Sequence, residues 1–220
     1  MAKPWSLRGK FSLAFTAVFS VALLCAMHSY AGGSFMHPHA AGFSWLENFW
    51  CDLLREPAYS GLPNGRSVAL AGIAFAALAL GLAPFWLELA RLLPARRAAL
   101  VRVAGLVSSV ATALVALLPS DRYPHAHAPA VLTAGGLGFA CGLVCAGFAV
   151  THFKALPAFA LSSVFLLAAA SVNLVLYVNV IYFHGPDTVV LPLAQKLATV
   201  GLVSWIVAGL FASRRAPALR

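Results

Sequence analysis

Ser67-Val-Ala-Leu-Ala-Gly-Ile-Ala-Phe-Ala-Ala-Leu-Ala-Leu-Gly-Leu-Ala-Pro-Phe-Trp-Leu87 contains no Asp, Glu, Lys, Arg or His and stops at Glu88. A bilayer's hydrocarbon core takes about 20 such residues as a helix, and a soluble core helix is rarely this long without a polar face. The same composition returns on both sides. Reading outward gives spans over about 11–31, 67–87, 101–118, 128–150, 158–183 and 191–212. The first run is longer than the core of a secretory signal, and Tyr30 and His28 suit an interfacial helix end, so it reads as a span. The whole chain agrees. Of 220 residues, 61% are hydrophobic and 10% charged, whereas a soluble domain carries about a quarter charged residues. The expected fold is all-α: one membrane domain of six transmembrane helices, with the lipid bilayer as its first partner.

The net charge of +9 suggests nucleic acid only until its distribution is read. Lys3, Arg8, Lys10, Arg91, Arg96, Arg97, Arg102, Lys154, Arg214, Arg215 and Arg220 fall at alternate span ends. Cytoplasmic ends collect Lys and Arg, so both termini are expected in the cytoplasm and no nucleic acid is implied. Arg55, Arg66, Arg122 and Lys196 fall on or near the other face. With them go Glu47, Asp52, Glu56, Asp121 and Asp187, and every histidine except His152. Any chemistry is expected at this outer end.

The longest polar stretch, Gly32 to Arg66, holds Phe43-Ser-Trp-Leu-Glu-Asn-Phe-Trp-Cys-Asp-Leu-Leu-Arg55. Ser44 and Glu47 have capping-box spacing. A helical wheel sets Trp45, Leu46, Phe49, Trp50, Leu53 and Leu54 against Glu47, Asn48, Cys51, Asp52 and Arg55. The spacing predicts an amphipathic helix over 44–55, lying on the outer membrane surface with its tryptophans at headgroup depth.

Asp121, His125 and His127 share the outer link between spans three and four, and His184 and Asp187 share the next. Imidazole and carboxylate suit a divalent metal such as zinc; a polar network or ligand site, or ordinary interfacial residues, use the same side chains. Lys196 enters the last span beside Gln195 and must snorkel or find a partner, with Asp52 and Asp121 as candidates. Asn173 and Tyr177 share one face of span five, for interhelical hydrogen bonds or a cavity wall. Cys141 and Cys145 read as small packing residues, and a Cys25–Cys51 disulfide at the outer face is left open. No firm cofactor is implied, and no pair of broken helices marks a carrier.

Asn48-Phe-Trp-Cys-Asp52-Leu-Leu resembles the Asn-Tyr-x-Ser-Asp-Leu-Gly signature of domain-of-unknown-function family 998, with Cys51 for the usual serine and Leu54 for the usual glycine. Leu117-Leu-Pro119-x-Asp121 followed by His127 resembles that family's Phe-Pro-x-Asp…His segment, and Gln195-Lys196 sits where a polar-basic pair often enters its last span. The resemblance implies membership of a bacterial and archaeal group of six-span membrane proteins without an established activity, and the expected location is the bacterial plasma membrane. It singles out Asp52, Asp121, His127 and Lys196, with Asn48 beside them. More remotely, the chain is similar to the autophagy-modulator and Sfk-type families, linked to lipid organisation. Two functions follow as expectations. One is a protein that binds lipid or a membrane-protein partner at the outer face. The other is a hydrolase of the outer leaflet using a metal held by Asp121, His125, His127 and His184; ceramidase-like hydrolases are a remote comparison whose spacing is not reproduced.

Overall fold

The computed structural model describes residues 4–186 and 188–215; Asp187, expected on the last outer link, lies outside them. It is a six-helix bundle: α1 (Leu7–His28), α2 (Gly65–Leu89), α3 (Ala95–Leu117), α4 (Pro124–Thr151), α5 (Pro157–Phe183) and α6 (Val190–Arg215). All six are long and apolar enough to cross a membrane. Helices are the form such runs must take, because hydrocarbon offers no partner to an unpaired backbone N–H or C=O. Local chemistry sets the ends. Ser6 Oγ accepts from the Gly9 N–H at 3.0 Å to cap α1. Pro124 and Pro157 open α4 and α5, where a missing N–H costs nothing. Arg214 and Arg215 close α6 against its negative dipole end.

Each helix packs on the next in sequence, and α6 returns to touch α1 and α2. Trp5 meets Phe211 edge-on at 5.0 Å, and the Arg214 guanidinium lies 4.7 Å from the Trp5 ring. The start of α1 and the end of α6 therefore share one end of the bundle. The opposite, loop-rich end carries residues 29–64, the link 118–123 and the link after α5.

The packing is that of a membrane protein turned toward lipid. Val21, Leu24, Ile73, Val110 and Val175 are more than half exposed. Inside, Ser12, Thr16, Ser108, Ser109 and Thr112 are buried between helices, small residues that let backbones approach. Among the helical glycines Gly105 is the tightest case, since a Cβ there would lie 2.6 Å from Trp86 Cδ2. Trp86, Phe85 and Phe159 surround Trp205 with centroids 5.0–5.8 Å away, and Trp205 Nε1 donates to Ser163 Oγ at 2.8 Å. This buried indole is satisfied.

The outer helix expected over 44–55 is realised as one 3₁₀ turn, Trp50–Leu54. Ser44 and Glu47 do not cap each other: the Ser44 N–H goes to Asn48 Oδ1 at 2.8 Å, and Glu47 binds Ser34 and His37. The two sides are not kept apart, although Trp50, Leu53 and Leu54 of the apolar side are buried. Asn48 and Asp52 are buried, while Trp45 and Leu46 are exposed. The wheel treated the segment as a lone helix on a surface. In the bundle, partners from distant parts of the chain satisfy the polar side, which lets it face inward, and the apolar residues at 45 and 46 are left to the membrane interface.

Candidate functional site

Asn48 organises the loop-rich end. It is fully buried, and its side chain is hydrogen-bonded at both ends: Oδ1 accepts from Ser44, and Nδ2 donates to the Gly33 carbonyl at 2.9 Å and to Asp52 Oδ2 at 3.0 Å. The same Asp52 oxygen accepts from the Phe49 N–H at 2.8 Å. Burial pushes the Asp52 carboxyl up to about 6, against the opposing pull of those two donors.

Lys196 reaches this cap from the first turns of α6. Its ammonium donates to the Asn48 carbonyl at 2.5 Å and the Pro192 carbonyl at 3.2 Å. It also lies 5.4 Å from the Phe43 ring and 5.2 Å from the Trp50 ring, close enough for cation–π attraction. Neither Asp52 nor Asp121, the partners considered from sequence, forms an ion pair with it. Carbonyl dipoles and ring faces hold this buried charge instead, with Asp52 acting at longer range. Two further bonds tie α6 to the cap. Gln195 Oε1 accepts from the Trp50 N–H, and Thr199 Oγ1 accepts from Trp50 Nε1, both at 2.9 Å.

Asp121 and His127 bring in the link between α3 and α4. Asp121 Oδ2 accepts from the Glu56 N–H at 3.1 Å, while its Oδ1 is buried without a partner. His127 Nδ1 lies 2.6 Å from the Leu118 carbonyl oxygen and Nε2 lies 3.1 Å from Cys51 Sγ. A carbonyl can only accept, so Nδ1 carries the proton and Nε2 offers a lone pair to the thiol. Burial, with the Asp52 charge adding to it, pushes the Cys51 thiol up to about 12. Cys51 is thus a protonated thiol on a neutral imidazole. Cys25 and Cys51 are both free.

The residues considered as metal ligands do not gather. His125 and His184 are exposed, His184 as the left-handed residue that ends α5. Both ring nitrogens of His127 are engaged within the protein. Among the described residues, no group of three or more His, Cys, Asp or Glu side chains is placed to hold a metal ion.

Below the cap lies a cavity of about 260 Å³. Trp50, Cys51 and Gln195 stand in its wall at the loop-rich end, and Phe75, Gly135 and Leu166 are among its apolar lining. Asn173 also lines it, with a buried Oδ1 that has no hydrogen-bond partner. The α5 face expected to carry hydrogen bonds or a cavity wall thus has Asn173 in the wall.

Sequence reasoning chose Asn48, Asp52, Asp121, His127 and Lys196, and all five stand at the loop-rich end around one cap. It missed the contact between Cys51 and His127, which are 76 positions apart, and the anchoring of Trp50 by Gln195. Its one usable signal was that both residues of the first pair belong to the same end of the bundle. No family model, curated protein or solved structure matches the chain.

Proposed function

We propose that this chain is a multi-pass protein of the bacterial plasma membrane, termini in the cytoplasm, that holds a lipid at its outer end. The apolar tail would occupy the cavity, and the polar head would meet Cys51 and Gln195 in its wall, on the cap that Asn48, Asp52, Asp121, His127 and Lys196 hold together. One observation carries this reading: an apolar cavity inside the spans whose wall at the loop-rich end is polar. An apolar void of roughly 150 Å³ stays dry and takes up a hydrocarbon such as benzene. A larger one among lipid tails has an abundant occupant. The unpartnered amide oxygen of Asn173 adds an acceptor for a hydroxyl or ammonium donor on a lipid. Exposed Trp45 and Leu46 fit an interfacial depth for the cap. The basic residues clustered at the terminal end support the orientation. The metal-dependent hydrolase has no comparable geometry behind it.

The test uses purified full-length protein. Native mass spectrometry from detergent should find about one lipid retained per chain. A Cβ at Gly135 meets nothing within 4 Å, so Gly135→Phe places a ring in the cavity without a backbone clash. This variant should lose the retained lipid at least tenfold with its thermal transition unchanged. Wild-type protein that carries no lipid above the detergent background rejects the reading.

A further inference from the structure

The pair formed by Cys51 and His127 is not needed to bind a lipid, and its position suggests chemistry. Cys51 stands in the cavity wall, with its sulfur on the unprotonated nitrogen of an imidazole whose other nitrogen is fixed by the Leu118 carbonyl. A nucleophile within hydrogen-bond reach of a base, with that base oriented by a third group, is the arrangement nucleophilic catalysis requires. Gln195 lines the same cavity and spends its carbonyl oxygen on Trp50, which leaves its amide N–H groups to polarise a substrate carbonyl.

We propose that Cys51 is an acyl-accepting nucleophile, with His127 as its base, and that it takes a fatty acyl group from a lipid ester seated in the cavity. The donor class rests on the lipid-binding reading above. In the step, the Cys51 S–H proton passes to His127 Nε2 as sulfur bonds to the ester carbonyl carbon. The carbon–oxygen bond to the lipid alcohol then breaks, and the alcohol oxygen leaves with the proton from His127. The products are an acyl thioester on Cys51 and the deacylated lipid, with no change of oxidation state. Water or a second nucleophile then removes the acyl group, because the thioester is more reactive than the ester it came from. A thiol held at about 12 is scarcely ionised at neutral pH, so transfer depends on the base.

The experiment uses full-length protein carrying Cys25→Ser, since Cys25 is exposed, with p-nitrophenyl palmitate and p-nitrophenyl acetate as activated probes. The expected result is one palmitoyl group per chain on the Cys51 peptide, released by neutral hydroxylamine and absent in Cys51→Ser. His127→Gln should slow acylation about 10²-fold or more, the usual worth of a positioned base. The palmitate rate in unsubstituted His127 protein should be level from neutral pH upward, as an already neutral imidazole base predicts, rather than climb into the alkaline range with the thiolate; this supplies the base's signature should His127→Gln fail to fold. Folded, lipid-retaining protein that leaves Cys51 unlabelled overturns the nucleophile while sparing lipid binding. Equal rates for acetate and palmitate, with no retained lipid, overturn the acyl donor together with the lipid-binding reading.

Discussion

The Lys196 ammonium donates to the main-chain carbonyl of Asn48, 148 positions earlier in the chain, and so fastens the last helix to the cap before the second. The charge has no carboxylate in contact. Hydrogen bonds to a charged donor contribute about 1.5–3 kcal/mol each in proteins, and the aliphatic stem is buried. Lys196→Ala is expected to cost about 2–4 kcal/mol, combining lost bonds with a void. Thermal unfolding of the purified protein should fall by roughly 5–10 °C. Lys196→Met, which keeps the stem and removes the buried charge, should fall by less than half as much. Equal losses would show that the ammonium's bonds, which both variants lack, hold α6 to the cap and that the stem's packing adds nothing.

Asp52 sets the pH response of the same cap. Burial holds its carboxyl at about 6, above the ordinary value of 3.8, so the folded state favours the protonated acid. Stability from this group is complete below the unfolded value and is lost as pH rises through about 6. Two pKa units correspond to about 3 kcal/mol. Asp52→Asn keeps an oxygen for Asn48 and Phe49 and cannot ionise. The wild type should gain stability relative to the variant as pH falls from 7.5 to 4, measured by thermal unfolding of both. A constant difference across that range would show that Asp52 titrates alike in the folded and unfolded chain.

The six spans were readable because their cause is local. Uncharged runs such as Ser67–Leu87 leave lipid as the only solvent, and the observed helices overrun the expected limits mostly into polar flanks such as Arg96–Arg97 and Arg214–Arg215. The cap was not local. Asn48 and Asp52 read from sequence as polar residues on a water-facing side, because the partners that hold Asn48 inside, the Gly33 carbonyl and Lys196, lie 15 and 148 positions away. The wheel has no term for them. The pairing of Cys51 with His127 left no spacing signal at all, and the cavity is a property of how α2 to α6 pack rather than of any one helix.

Glu47 holds the outermost part of the cap. Its carboxylate accepts from Ser34 Oγ at 2.6 Å and meets His37 Nδ1 at 2.9 Å. The Ser34 and His37 bonds hold its carboxyl below the usual range. A depressed value means the contribution is present above the ordinary carboxylate range and lost as pH falls through the lowered value. Glu47→Gln at neutral pH should imitate acid, raising amide exchange in residues 34–40 while leaving exchange in α2 unchanged. Exchange that stays slow at 34–40 would assign the order of that loop to its backbone bonds, Gly33 to Ala40 and Ala40 to His37.

Two glycines separate close packing from open space within the bundle. A Cβ at Gly105 would lie 2.6 Å from Trp86 Cδ2 and 2.8 Å from Trp86 Cβ, whereas one at Gly135 meets nothing within 4 Å. Both are helical, so alanine gains about 0.5–1 kcal/mol of helix preference at either position. At Gly105 the clash falls on the root of a buried indole that is itself packed against Trp205, and overpacking of this kind costs about 1–3 kcal/mol. Gly105→Ala should therefore lower the thermal transition while Gly135→Ala leaves it level or raises it. If the two variants behave alike, α2 and α3 can separate freely at Trp86, and the cavity wall they share is looser than its geometry implies.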